Sequence, residues 1–292
     1  MDGDHRRPRV AIATCAGEDV DVDTPILLAA CAKGGVDATV CVWDDPAVDW
    51  AAYDLTVLRS TWDYAPRREE FLRWARSVPR LHNPYAVVAY STDKHYLADL
   101  ALRGLPVTPT AIFEVGQTPE FPSGDFVVKP AVGAGSIDAA RYAQGECDAA
   151  RRHVADLHRR GRAVCVQPYV HSVDTVGERA LVFIDGTFSH AMTKGAMLNS
   201  RDVDLTALFK PERMSRAFDV EPQALSVAHR ILSSDSAFAD LLYARVDLLL
   251  SDEGWVVLEL ELVEPSLFLA FDATAADRFA AAIRRRAVAQ HR

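Results

Sequence analysis

The chain has 292 residues, 49 % of them apolar and 25 % charged, with a formal charge of −9. Such a chain can bury a real core as one large domain or two to three lobes, and its acidic balance argues against nucleic acid as a partner. No apolar run is long enough to cross a membrane and MDGDHRRPRV holds no apolar leader; the five scattered cysteines (Cys15, Cys31, Cys41, Cys147, Cys165) suit a reducing, cytoplasmic setting better than a metal or disulfide framework.

Residues 9–14 (RVAIAT) read as a buried strand. TPILLAACAKGG, 24–35, reads as a helix with Thr24 as N-cap, Pro25 in the first turn and Gly34–Gly35 closing it. Strands are predicted at 38–43 and 55–60. A helix at 69–78 would carry Phe71, Leu72, Ala75 and Val78 on one face. This alternation predicts a parallel sheet covered by helices to about residue 85. Such sheets keep their ligands in the loops at the strand ends. Two loops qualify: Cys15-Ala16-Gly17, and Arg59-Ser60-Thr61-Trp62-Asp63-Tyr64.

A second region begins with a helix capped by Ser91, Thr92 or Asp93 and ended by Gly104, with Pro106 and Pro109 holding the next segment extended. A strand carrying Lys129, a glycine loop, a helix at about 146–160 and a strand at 163–170 follow. The third region reads as a hairpin over 178–196 turning at Asp185-Gly186, then a helix near 222–234. A second hairpin over 244–269 turns at Asp252-Glu253-Gly254, and a helix over 274–289 closes the chain.

Three stretches carry chemistry. In FVVKPAVGAGSIDAA (126–140) a strand delivers Lys129 beside a glycine loop, which suits a nucleotide phosphate: the lysine supplies charge and the glycines expose backbone N–H groups. The lysine precedes the glycines, so this is not a P-loop, and an exposed lysine beside a turn fits the same letters. In VDLLLSDEGWVVLELELVEPS, Glu259 and Glu261 lie two residues apart and so share one strand face, with Asp247 on the preceding strand. Facing a pocket, such acids need cations, and Mg²⁺ suits them; facing water at a sheet edge, they would need none. Arg179 and Lys194 flank one hairpin turn, and Arg245 shares a face with Asp247. With Lys94 and Lys129 they would form a triphosphate cradle or, alternatively, structural ion pairs. Gln167-Pro168-Tyr169-Val170 ends a strand at a lobe junction, where free backbone groups could read an adenine edge or merely link two lobes.

In this order the stretches resemble the ATP-grasp superfamily of carboxylate–amine ligases, over roughly residues 85–270, and within it the glutathione-synthetase-like branch. The resemblance implies an α/β, ATP-grasp architecture. An N-terminal parallel α/β domain (1–90) would be followed by two α+β lobes clasping ATP: a central lid lobe (91–170) and a C-terminal lobe with the metal site (171–292). It implies ATP phosphates on Lys94, Lys129, Gly133, Gly135 and Ser136, and adenine on Gln167, Pro168, Tyr169 and Val170. It also implies Mg²⁺ on Asp247, Glu259 and Glu261. Many members have Asn at the position of Glu261, which makes Glu264 a substitute ligand to weigh. Arg179, Lys194 and Arg245 would bear the charge of an acyl phosphate. Cys15, Ala16, Gly17, Ser60, Thr61, Trp62 and Asp63 would grip a small amino-acid-like substrate. The chain's size, its RSTWDY loop and its ELELVEPSLFL ending are similar to those of ring-closing members acting on O-ureido-D-serine. An intermolecular ligase and a catalytically inactive nucleotide binder on the same fold stand as alternatives, and a homo-oligomer is compatible with all three.

Overall fold

Val10 to Ala13 are fully buried, as befits the central strand of a sheet covered on both faces. In the computed structural model, which describes residues 6–17, 21–196, 214–217 and 219–289, they belong to β1 (Arg9–Thr14). The elements that follow are α1 (Asp23–Lys33), β2 (Asp37–Val42), β3 (Leu55–Leu58), α2 (Arg68–Ser77) and β4 (Leu81–His82). All four strands are parallel, in the order β2-β1-β3-β4. Two expectations shift. Thr24 does not cap α1: the helix starts at Asp23, whose N–H donates to the Asp21 carboxylate at 3.1 Å. β3 ends at Leu58, and the next residues leave the sheet as a buried loop.

The helix expected after Ser91 is α4 (Tyr96–Leu102), and a further helix, α3 (Tyr85–Ser91), precedes it. The Thr92 hydroxyl donates to the Val88 carbonyl at 2.8 Å and the Asp93 carboxylate accepts the His95 N–H at 3.2 Å, so the chain breaks between the helices and Lys94 sits in the break. Gly104, at φ 73°, ends α4 as expected.

A four-stranded antiparallel sheet follows, built from β5 (Ala111–Phe113), β6 (Phe126–Pro130), β7 (Ala140–Tyr142) and β8 (Val164–Pro168) in the order β5-β8-β6-β7. Alternation divides its faces. Phe126, Val128, Val164 and Val166 pack on Ala150, Val154 and Leu157 of α5 (Cys147–Arg159), which leaves Val127, Lys129 and Gln167 on the opposite face.

The largest sheet runs β11-β10-β9-β12-β13. Its members are β9 (Glu178–Ile184), β10 (Thr187–Lys194), β11 (Met214–Ala217), β12 (Tyr243–Ser251) and β13 (Gly254–Glu261). Asp185 and Gly186 both have positive φ, 51° and 75°, the turn that matches strand twist in a two-residue hairpin. Leu181, Phe183, Val246 and Leu248 pack in one cluster with α6 (Pro222–Leu232) and with Tyr96, Leu97 and Leu100 of α4. α7 (Ala275–Ala289) joins α1 and β1 in another, through Phe279 and Ile283. No described helix is long and apolar enough to cross a membrane.

Candidate active site

One cleft separates the odd-numbered face of β6 and β8 from the polar face of the large sheet. Lys94, Lys129, Gly133, Gly135, Ser136, Gln167, Pro168, Tyr169, Val170, Lys194, Arg245, Glu259 and Glu261 all line it. Register explains the acidic wall. Arg245 lies opposite Glu261 and Asp247 opposite Glu259, so all four project to one side. Glu178 lies opposite Lys194 and joins them.

Across the cleft, Lys129 Nζ donates to Glu259 Oε1 at 2.8 Å, and Lys94 Nζ stands 3.9 Å from the same oxygen. Burial alone would raise the Glu259 pKa, but the two lysines hold it far below the usual carboxylate range. Glu261, 3.6 Å from Arg245, goes the other way: burial, reinforced by Glu259 and Asp247, pushes it up to about 7 against the pull of Arg245. Glu264, behind Glu261, is pushed up to about 8 by burial and by the Glu261 charge.

The glycine loop is fixed from several sides. Lys94 donates from its backbone to Ala131 O at 2.9 Å and from Nζ to Gly133 O at 3.1 Å. Arg162 reaches Val132 O at 2.6 Å and also holds Asp138, which Arg160 grips at 3.0 Å. Gly133 has little room for a side chain, since a Cβ there would meet Pro130 Cγ at 3.1 Å. Gly135 and Ser136 both have left-handed φ, 61° and 58°, a conformation that turns successive N–H groups toward one side.

Several expected site residues are occupied otherwise. Arg179 is not in the cleft. It alternates with Glu178 and Ala180 along β9 and so takes the other face, where it pairs with Glu221 at 3.0 Å, while a bulge between Phe188 and His190 of β10 turns Lys194 into the cleft. Asp247 stands one layer behind the wall, 1 % exposed, with its oxygens taken by Arg245 at 2.8 Å and Lys194 at 3.0 Å. Asp63 accepts from the Trp43 indole at 2.8 Å and from Arg67, so its carboxylate anchors the aromatic core rather than facing a ligand. Tyr169 has its N–H taken by Asp125 O at 2.8 Å, and Arg141 lies 3.6 Å over its ring.

Cys15, Ala16, Gly17, Ser60, Thr61 and Trp62 form a separate corner at the carboxyl ends of β1 and β3, where Cys15 N–H donates to Ser60 O at 2.9 Å. Burial raises the Cys15 pKa, which does not suit a nucleophilic thiolate. His190, whose ring bonds Leu267 O at 2.8 Å, is a buried structural histidine with a lowered pKa. Sequence reasoning missed Glu178, because the β10 bulge hides its register with Lys194. It also missed the contact of Tyr64 with Glu264, because the two lie 200 residues apart in the chain.

The carboxylates fit a hard divalent cation. Glu259 and Glu261 offer oxygen donors from one strand face into the cleft. Among the described residues no group of three or more His, Cys, Asp or Glu side chains gathers as ligands. A cation here would therefore take one or two carboxylates and complete its shell with phosphate oxygens and water, the usual habit of Mg²⁺.

Comparisons with known proteins agree with this architecture. The family described as D-cycloserine synthetase DcsG, N-terminal domain, matches residues 10–83. The cycloserine biosynthesis protein DcsG of Streptomyces lavendulae is 40 % identical over 289 residues, covering 91 % of this chain and 94 % of that one. The crystal structure of D-cycloserine synthetase DcsG superposes with a TM-score of 0.85 at 38 % identity, covering 96 % of this chain and 99 % of that one. A RimK-domain ATP-grasp protein from Sphaerobacter thermophilus DSM 20745 shares the fold alone, with a TM-score of 0.65 at 17 % identity, covering 96 % of this chain and 99 % of that one.

Fold and relatives define an ATP-grasp enzyme, an ATP-dependent carbon–nitrogen ligase. More narrowly, the chain belongs to the family of the D-cycloserine synthetase DcsG.

Proposed function

We propose that the enzyme closes a ring, converting O-ureido-D-serine to D-cycloserine at the expense of ATP. The substrate carboxylate attacks the γ-phosphorus, giving an acyl phosphate and ADP. The nitrogen bonded to the side-chain oxygen then attacks the acyl carbon and phosphate departs, closing a five-membered ring. Water then cleaves the bond between that nitrogen and its carbamoyl group, which departs as carbamate and breaks down to CO₂ and ammonia, and the nitrogen keeps a proton to give D-cycloserine. Lys94 and Lys129, with the loop from Gly133 to Ser136, would hold the phosphates, and the strand end from Gln167 to Val170 would border the adenine. Lys194 and Arg245 would bear the acyl-phosphate charge. Glu259 and Glu261 would hold Mg²⁺, which when bound neutralises phosphate charge, while Asp247 would keep Arg245 and Lys194 in place behind them. The lobe carrying β6 would close over the nucleotide and keep water from the acyl phosphate. The corner formed by Cys15–Gly17 and Ser60–Trp62 would receive the amino acid.

The observation that carries the nucleotide end of this reading is the meeting of Lys129 and Lys94 with Glu259 across one cleft. The ring closure itself draws its support from the kinship with DcsG. Mass spectrometry of a reaction with Mg²⁺, ATP and O-ureido-D-serine tests it. Ring closure requires ADP and one cyclic product from one organic substrate. ADP formation only when a second amino acid is added would mark an intermolecular ligase instead.

A further inference from the structure

The RSTWDY loop and the ELVEPS segment, both prominent in the sequence, meet at Glu264. Trp62 donates its indole N–H to the Glu264 carbonyl at 3.0 Å. The Tyr64 hydroxyl lies beside the Glu264 carboxyl group, and Tyr64 is itself 3 % exposed. Tyr243 pins the same segment by bonding both Leu58 O, at 2.8 Å, and Val263 O, at 2.6 Å. Glu264 is thus held between the loop after β3 and the end of β13.

Its charge sets it apart. Glu259 pairs with Lys129, Glu261 with Arg245, and Asp247 with Arg245 and Lys194. Glu264 is 7 % exposed, yet it pairs with no cation among the described residues. A buried carboxyl group beside a second acid, on which Lys94 and Arg245 act only from beyond ion-pair distance, is stabilised when a ligand brings a cation into contact with it. On the same loop the Thr61 hydroxyl is fully buried and finds no hydrogen-bond partner among the described residues. Position agrees with charge. Arg245, which lines the phosphate cleft, donates to Ser266 O at 3.1 Å, two residues beyond Glu264. In an α-amino acid the nitrogen is separated from the carboxyl carbon by one atom. A carboxylate reacting beside Arg245 therefore carries its ammonium to the neighbourhood of the 264–266 segment.

We infer that Glu264, oriented by Tyr64, is the residue that recognises the α-ammonium of the substrate and so selects amino acids over simple carboxylic acids. Its substrate class rests on the reading above. The role is distinct from metal binding, which falls to the carboxylates on the cleft wall.

Calorimetry on protein loaded with Mg²⁺ and a non-hydrolysable ATP analogue tests this without depending on turnover. The probes are O-ureido-D-serine and the same molecule with hydrogen in place of the α-amine. The unmodified enzyme should prefer the amine-bearing probe at least tenfold. Glu264→Gln should lose at least 30-fold in its affinity and bind both probes alike, with nucleotide affinity within threefold of the unmodified value. Tyr64→Phe, which keeps the charge, should lose about three- to tenfold and guards against a Gln variant that folds poorly. A Glu264→Gln protein that keeps the preference overturns the inference. So does one whose loss falls on Mg²⁺-nucleotide binding, which would mark Glu264 as a metal ligand. If the unmodified enzyme forms no ADP with O-ureido-D-serine, the ring-closing reading fails by itself. The amine preference is then read with serine and alanine of either hand against their deamino acids, and absence of a preference there overturns the inference.

Discussion

The two ends of the molecule handle buried charge in opposite ways. In the cleft, Lys129 meets Glu259 with side chains 10 % and 25 % exposed, on two different sheets. At the carboxyl end of β3, Arg59 is sealed, its side chain 0 % exposed, between Asp21 at 3.3 Å and Asp23 at 3.7 Å. Asp23 in turn accepts the N–H groups of Leu267 and Leu269, at 2.8 and 2.7 Å. The first pair can exchange its partner for a ligand, because a cleft opens beside it. The second ties the N-terminal sheet to the segment after β13 and has no room to exchange. What separates the two is access, which leaves the first open to a ligand and the second closed to one.

Substitutions can break that contrast. Lys129→Met should lower ADP formation on the order of 10²–10³-fold, with its thermal midpoint little changed, because the lysine would act on phosphate rather than on the core. Steady-state ADP release and a melting curve check both halves, and near-normal turnover would remove Lys129 from the phosphate site. Arg59→Met should do the reverse: it strands two buried aspartates and costs roughly 3–5 kcal/mol of stability. Denaturant unfolding reads that loss directly. Glu259→Gln should abolish the thermal stabilisation given by Mg²⁺ and ATP together, and its survival would show that the metal is held elsewhere. Arg179→Ala should leave turnover within about threefold, since the residue serves Glu221 on the far face and exposed or half-exposed pairs contribute roughly 0–1 kcal/mol.

The smallest effect concerns acid. Burial would raise the Asp272 pKa, but bonds from Thr274 and the charges of Arg278 and Arg216 hold it to about 2. A depressed carboxylate contributes stability that is present above its unfolded pKa near 4 and is lost as pH falls through the folded value. Asp272→Asn should therefore lower stability at pH 6 and converge with the unmodified protein near pH 2, as pH-dependent unfolding would reveal.

Legibility in the sequence followed the range of the forces involved. The hairpin turns and the shared face of Glu259 and Glu261 are local consequences of alternation and turn chemistry, and they could be read directly. That Arg179 and Lys194 take opposite faces could not be read, because a single bulged residue in β10 decides which face Lys194 takes. Asp63 could not either: its partner Trp43 comes from another loop, and only the fold brings the indole to it. Glu264 could be weighed as a metal ligand, but its contact with Tyr64 depends on two sheets coming together. α3 escaped notice because it is short, and Ser91, Thr92 and Asp93 behind it read as the start of a helix and equally mark the end of one.

A crystal structure with Mg²⁺ and a non-hydrolysable ATP analogue tests the central claim most directly. It should show one nucleotide between the two sheets, with Lys129 Nζ within hydrogen-bond reach of a phosphate oxygen and Glu259 and Glu261 on the metal that the same phosphates share. A nucleotide bound outside that cleft, or phosphates touching neither Lys129 nor the metal on β13, would contradict it.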